Sequence, residues 1–281
     1  MRKYKEKIWQ VVFLLTACVS IGAVVLICVY LLGNGIPTIF KIGLGNFFGT
    51  VWKPSKNLYG IVPMIVGSVY VTAGAILIGV PIGLLCAVYL SRFCPKAIYR
   101  VLKPAVELMA GIPSIVSGFF GLMVIVPVIQ QLTGTSGKSL LTASVLLGIM
   151  ILPTIISVAE SALNAVPEGY YEGSLALGAT HERSVFSVIL PAAKSGVMSG
   201  VILGIGRAVG ETMAVIMIAG NQPIMPAGLL KGLRTMTANI VLEMGYASGL
   251  HREALIATGV VLFVFILIIN TCFSLLKRRN G

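Results

Sequence analysis

The 281-residue chain contains no aspartate. That absence excludes aspartate-based catalysis, EF-hand loops and the Walker B aspartate of nucleotide hydrolases. Charge of either sign is scarce. Only 11% of residues are Asp, Glu, Lys or Arg, against about 25% in a soluble domain, so the chain lacks the charge to cover a water-facing surface. Cysteine offers little. Cys18, Cys28, Cys86, Cys94 and Cys272 form no CxxC pair and four lie in apolar runs, which argues against a disulfide framework or a zinc site. His181 and His251 stand far apart, and neither HExxH nor GxSxG occurs. A membrane-embedded enzyme thus finds no metal motif and no nucleophile–base set. A Walker A loop needs Gly, four residues, then Gly-Lys-Ser/Thr. The nearest approach, Gly134 to Ser139, sets its glycines two positions too close. No catalytic residue, metal site or bound cofactor is expected.

What is present is apolar sequence in long runs: 57% of residues are hydrophobic and the mean hydropathy is +0.98. The reading is an all-α polytopic membrane protein with six transmembrane helices, over about 11–32, 61–90, 105–129, 140–163, 197–219 and 254–276. Each exceeds the roughly 20 residues that cross ~30 Å of hydrocarbon. Residues 1–10 read as a cytoplasmic tail, 11–276 as a single transmembrane domain and 277–281 as a second tail. The apolar stretch after Lys7 is longer than the about 7–15 residues of a secretory h-region, so it reads as an uncleaved first helix. The net charge of +12 suggests nucleic acid in a soluble protein. Here the positive-inside bias of membrane proteins explains it better. With the N-terminus inside, Arg2, Lys3, Lys5, Lys7, Arg92, Lys96, Arg100, Lys103, Arg183, Lys194, Lys277, Arg278 and Arg279 fall on the inner side. Lys41, Lys53, Lys56, Lys138, Lys231, Arg234 and Arg252 fall outside. That bias places both termini in the cytoplasm.

The longest inner segment, about 164–196, reads as a helical hairpin. Glu172 to Leu177 favours a helix, and Gly178 can take the left-handed conformation that ends it. Thr180 can cap a second helix, whose Val185, Phe186, Ile189 and Leu190 form an apolar face at helical spacing. Pro191 suits the first turn of the helix that follows. In the fifth span, Arg207 lies ten residues in, ~15 Å along the axis and so near mid-membrane. An Arg there costs at least ~2.5–3.5 kcal/mol, and Glu211 is one turn away at i+4. Two readings stand: an ion pair that glues helices together, or a forked anion ligand with Glu211 as its gate or counter-charge. The pairs Gly200/Gly204 and Gly206/Gly210 admit a close neighbouring helix. Glu107 and Glu160 fall near the inner interface, as structural residues or contacts of a possible inner gate. Trp9 suits an aromatic anchor at the first span's inner edge.

The hairpin resembles the coupling loop of ABC importer permeases, with Glu172, Gly178, Leu190 and Pro191 at matching offsets and the small residues Gly173 and Ser174 where two alanines are usual. Further stretches resemble the phosphate-specific (Pst-type) permeases: Trp52-Lys-Pro54, Tyr59 to Ser68, Gly111 to Gly121, Ile151 to Ser157, Gly206 to Ala214 and Met244 to His251. Several are most like the PstC subunit. The tail before the first span is short for that group, and Ala159-Glu160-Ser161 stands where an acidic pair is common. The resemblance implies the type I ABC importer permease (MetI-like) fold in a bacterial or archaeal plasma membrane. It implies a PstA-like second permease, two PstB-like ATPase subunits that use ATP and Mg, and an external PstS-like binding protein that delivers phosphate. Membrane lipid, and no nucleic acid, completes the expected surroundings. A permease for a related oxyanion is a variant of this reading. A secondary transporter or channel is the alternative from another class. It would show matching Gly/Pro-broken helices in two halves of the chain, and no such symmetry is found in this sequence.

Overall fold

In hydrocarbon every backbone N–H and C=O must find a partner within the chain, which leaves helices as the way for these apolar runs to cross. The computed structural model describes residues 2–279 and is built accordingly. Five helices are long and apolar enough to span: Trp9–Ile42, Val62–Phe93, Ser114–Thr133, Leu140–Asn164 and Gly249–Cys272. The fifth crossing in chain order is broken. Lys194–Gly210 carries most of it and Met213–Ile218 resumes after two residues.

Several expected boundaries move. The first helix begins at Arg2, so the tail expected over 1–10 is helical from that residue, with Met1 outside the described residues. The last helix runs to Arg279, which takes in most of the tail expected over 277–281; Asn280 and Gly281 lie outside the described residues. The third span starts at Ser114 rather than near 105. Ile112 precedes Pro113, and a residue before proline is pushed out of the α region; Ile112 accordingly has ψ 125°. Residues Lys96–Gly111 form a separate amphipathic helix with no buried residue. Val101 and Leu108 stay exposed on it, the pattern of a helix lying along a membrane surface. Glu107 therefore belongs to this interfacial helix and not to a span.

The fourth span is the hub. Its most apolar window is 61% buried, whereas that of the first span is 0% buried. The second and fifth spans approach the hub at glycines. A Cβ at Gly79 would stand 2.7 Å from the Gly148 carbonyl oxygen, and one at Gly204 would stand 2.8 Å from the Ile155 side chain. Gly200 faces Val158 and Ala159 of the same helix. Gly206 and Gly210, expected to act likewise, face open space. Around these seams lies a core that includes Val71, Ala75, Leu147, Ile151 and Ile155.

Between the first and second spans, Trp52–Lys53 pairs antiparallel with Leu58–Tyr59. Asn57 takes φ 54° at the turn, a conformation asparagine tolerates better than most residues. Trp52, Tyr59, Phe47 and Met64 pack against Met236, Leu255 and Ala257. The stretch expected as outer loop over 220–253 contains a helix, Met236–Met244, capped by the Thr235 hydroxyl at the Ala238 amide.

The seams give a direct test. Gly79→Leu should lower the thermal stability of the purified protein, by about 1–3 kcal/mol for an overpacked contact. Gly206→Ala should leave it within about 0.5 kcal/mol. Equal effects at the two positions would contradict the assigned seam.

Candidate functional site

The Lys194–Gly210 helix turns Ile205, Ala208 and Val209 into the core and leaves Arg207 at the wall of a cavity of about 320 Å³. The cavity lies between the third, fourth and fifth spans and the end of the interfacial helix. Met109, Ile112, Phe120, Leu146 and Met150 make most of its wall, Ser117 adds a hydroxyl, and Arg207 is the only charged residue lining it. Arg207 has neither an ion-pair nor a hydrogen-bond partner among the described residues. A guanidinium against apolar walls with no counter-charge is costly.

The pair expected between Arg207 and Glu211 is not formed. The helix ends at Gly210, and Glu211 turns to ψ 128°. Glycine is a poor helix former, and two of the last five residues are glycine. The Glu211 carboxylate instead accepts from the Thr212 and Ala214 amides at 3.1 and 3.2 Å. It thereby caps the Met213–Ile218 helix, where a negative group is favoured. The Glu211 carbonyl accepts from the Thr237 hydroxyl at 3.1 Å, which ties this break to the Met236–Met244 helix.

Near the end of the fourth span that leads into the hairpin, Glu160 is 2% exposed. Its carboxylate accepts from the Tyr99 hydroxyl and the Lys103 ammonium, each at 2.7 Å. These bonds clip the interfacial helix to the fourth span. Burial alone would lower the affinity of Lys103 for its proton; the Glu160 carboxylate reverses this and holds the Lys103 pKa above the ordinary lysine value. Glu107 stands exposed with Lys103 3.6 Å away.

The hairpin expected over about 164–196 folds as its sequence suggests. Glu168–Ala176 is the first helix, and Gly178 follows at φ 83°. The Gly178 amide bonds the Leu175 carbonyl at 2.9 Å and the Ala179 amide bonds the Ser174 carbonyl at 3.1 Å, the pair of bonds that defines a Schellman ending. Thr180 caps the second helix through the Arg183 amide. The two helices are tied by Tyr171 to His181 at 2.8 Å and by a short hydrogen bond from Ser174 to Ser184. Val185 and Ile189 bury against Ala87, Ala159 and Leu163, while Phe186 remains 48% exposed. Arg92 anchors the base, at 3.2 Å from Glu168 and 3.0 Å from the Leu163 carbonyl. Glu172, Gly173 and Gly178 are exposed, and Leu177 at the turn is 91% exposed. Pro191 departs from expectation. It lies in the last turn of His181–Ala192 rather than in the next helix. A wide π turn at Val185–Ile189 precedes it and makes room for the ring. That helix meets Lys194–Gly210 at 71°.

A glycine-ended hairpin, a bent helix pair leading from it and five long apolar helices among the described residues together invite comparison with known transport proteins. Residues 79–280 match the family of binding-protein-dependent transport system inner membrane components. The chain belongs to that family. Among relatives of this inner membrane component, the probable ABC transporter permease protein YqgH of Bacillus subtilis is 37% identical over 92% of this chain and 88% of the relative. The phosphate transport system permease protein PstC of Xylella fastidiosa is 34% identical over 95% and 91%. Solved structures share the fold. A chain of the MetNI methionine ABC transporter gives a TM-score of 0.64 at 23% identity, over 82% of this chain and 100% of that one. A chain of a bacterial alginate ABC transporter gives 0.67 at 14%, over 95% and 94%. The architecture is therefore the MetI-like fold of type I ABC importer permeases.

Around the Met236–Met244 helix of this inner membrane component lies a polar network that the sequence reading missed. The buried Glu243 carboxylate accepts from Trp52 Nε1 at 3.0 Å and Arg234 Nη1 at 2.5 Å, with His251 Nε2 at 2.8 Å. Arg234 also donates to Asn239 Oδ1 and to the Asn221 carbonyl. One local signal was available, since Asn239 and Glu243 sit one helical turn apart after Arg234. The links to Trp52 and His251 are non-local.

The capping role of Glu211 separates two substitutions. Glu211→Gln keeps an oxygen acceptor for both amides, and its thermal stability should stay close to that of the native protein. Glu211→Leu removes the cap and should cost about 0.5–2 kcal/mol. A thermal melt of both variants in detergent checks this, and equal losses would show that charge rather than capping holds the break.

Proposed function

We propose that the chain is the phosphate-conducting permease subunit of an ATP-driven ABC importer, working beside a PstA-like second permease. The observation that carries the reading is Arg207, without a partner among the described residues, in a largely apolar cavity at a broken crossing. A guanidinium left without a counter-charge offers two parallel donors to a tetrahedral oxyanion. A passing phosphate supplies the missing charge while it is there, and the apolar wall supplies no second cation to hold it. The relatives named for phosphate transport support the choice of anion. The fifth crossing breaks beside this site, and irregular backbone within a membrane protein is tolerated where it is buried or lines a cavity.

Six crossings with one such arginine make half a path, and the second permease contributes the other half. In this reading an external PstS-like protein delivers phosphate. Two PstB-like ATPases hydrolyse ATP with Mg, and both termini lie in the cytoplasm. The hairpin from Glu168 to Ala192 is the coupling element. Glu172, Gly173 and Ser174 lie on its first helix, Gly178 makes its turn, and Leu190 and Pro191 lead into the fifth crossing. The exposed Leu177 is the apolar tip that enters the ATPase. Glu160, with Lys103 and Tyr99, fixes the interfacial helix beside the path, and Glu107 stands exposed on that helix; in this reading they belong to the inner gate. ATP-driven closure of the ATPases moves the hairpins and switches the pore between outward and inward access.

Arg207 is tested by uptake of labelled phosphate into vesicles holding the reconstituted complex. Arg207→Leu should assemble normally, since Glu211 does not depend on it, and should hydrolyse ATP while transport falls to background. Arg207→Lys should keep partial transport, because charge remains and the fork is lost. Near-native uptake by Arg207→Leu at matched levels would refute the pathway role.

The hairpin gives a second test. Gly178→Val should release the ATPase subunits during purification, since a β-branched residue fits positive φ poorly. Gly178→Asn should retain them. If Gly178→Val complexes keep both ATPases and full uptake, the coupling assignment fails.

A further inference from the structure

Ser117 shares the Arg207 cavity and is its one side-chain hydroxyl. In apolar surroundings a helical Ser or Thr usually returns its hydroxyl to the carbonyl four residues back. Thr16, Thr38, Ser161, Ser199 and Thr258 do so here. Ser117 does not, and its hydroxyl has no partner among the described residues. The reason is local. Four residues back is Pro113, whose carbonyl already accepts from the Val116 amide at 2.9 Å and the Ser117 amide at 3.2 Å. Both lone pairs of that oxygen are occupied, so the break that starts the third span leaves the Ser117 hydroxyl free.

The position is also held. The next residue, Gly118, is buried so closely against the fifth crossing that a Cβ there would stand 2.8 Å from Ala214 Cα. The Ala214 amide is one of the two that Glu211 caps. Ser117 is thus set on the backbone segment packed against the helix that resumes just beyond Arg207. Two groups in one apolar cavity, a guanidinium and a hydroxyl, both lack partners.

We propose that Ser117 is a second anion-contacting group of the path, donating its hydroxyl to an oxyanion whose charge Arg207 balances. A hydroxyl can also accept from the P–OH of monohydrogen or dihydrogen phosphate, which a guanidinium cannot. The pair therefore suits a partly protonated tetrahedral anion. This inference rests on the pathway reading of Arg207.

The test uses the full complex in vesicles, with binding protein outside and ATP inside, and labelled inorganic phosphate as the probe. Ser117→Ala removes one oxygen and little packing. Its maximal uptake should fall about tenfold or more, as for loss of a hydrogen bond to a charged partner. The apparent affinity for external phosphate should stay at the native value, because the binding protein sets capture. ATP hydrolysis stimulated by the binding protein should persist. Ser117→Thr keeps the hydroxyl and should restore most of the rate. If Ser117→Ala transports at the native rate while Arg207→Leu is inactive, Ser117 makes no contact and the pathway reading stands. If both transport at the native rate, the pathway reading falls and takes this inference with it. Equal losses in Ser117→Ala and Ser117→Thr, at matched levels of assembled complex, would mark a packing role and overturn the proposal.

Discussion

The close approach of the second and fifth spans to the fourth is the contact on which the rest of this molecule depends. Lipid tails are as apolar as leucine, so helices in a membrane gain little from hiding apolar surface from lipid and gain instead from near contact. Gly79 and Gly204 make that contact possible on two faces of one helix. Once the fifth span is seated through Gly200 and Gly204, its rotation is set. The same seating that buries Ile205 and Ala208 leaves Arg207 at the cavity wall. The direction of the one charged group in the cavity is thus a consequence of helix packing.

Two breaks in regular structure finish the site. One lies at Ile112–Pro113 and begins the third span, and the other lies at Glu211–Thr212 and interrupts the fifth. The cavity collects Ile112, Ser117 and Arg207 from the neighbourhood of these breaks. Each break is stabilised by its own polar groups. Pro113 offers a carbonyl to two amides, and Glu211 offers a carboxylate to two more. Interrupted helices are expensive in a membrane unless their loose ends are satisfied, and these bonds meet part of that need from within one turn.

Much of this was legible in sequence where the cause is local. Apolar runs located the crossings, and Gly178 and Thr180 announced the hairpin, because a left-handed turn and an N-cap are decided by one or two residues. Sequence alone starts the third span too early because Val106, Leu108 and Met109 continue the apolar run backwards. Only the restriction imposed by Pro113 separates span from surface helix. The interruption of the fifth crossing was hidden because Met213–Ile218 is as apolar as the segment before it. The i+4 spacing of Arg207 and Glu211 suggested a pair that exists only if the helix continues between them. The Glu243 network joins residues 52, 234, 243 and 251, and nothing local in the chain specifies such a meeting.

The 71° bend between His181–Ala192 and Lys194–Gly210 has a mechanical meaning. From Thr180 to the bend is about 13 residues and from the bend to Arg207 about 14, which at 1.5 Å per residue makes two arms of roughly 20 Å each. Were they to move as one rigid piece, the two helices would form a bell crank with nearly equal arms. A displacement of the hairpin by a few ångströms would arrive at Arg207 with little amplification and a change of direction. Such gearing trades no stroke for force. In the proposed pathway, such gearing would suit a guanidinium that shifts by about its own width.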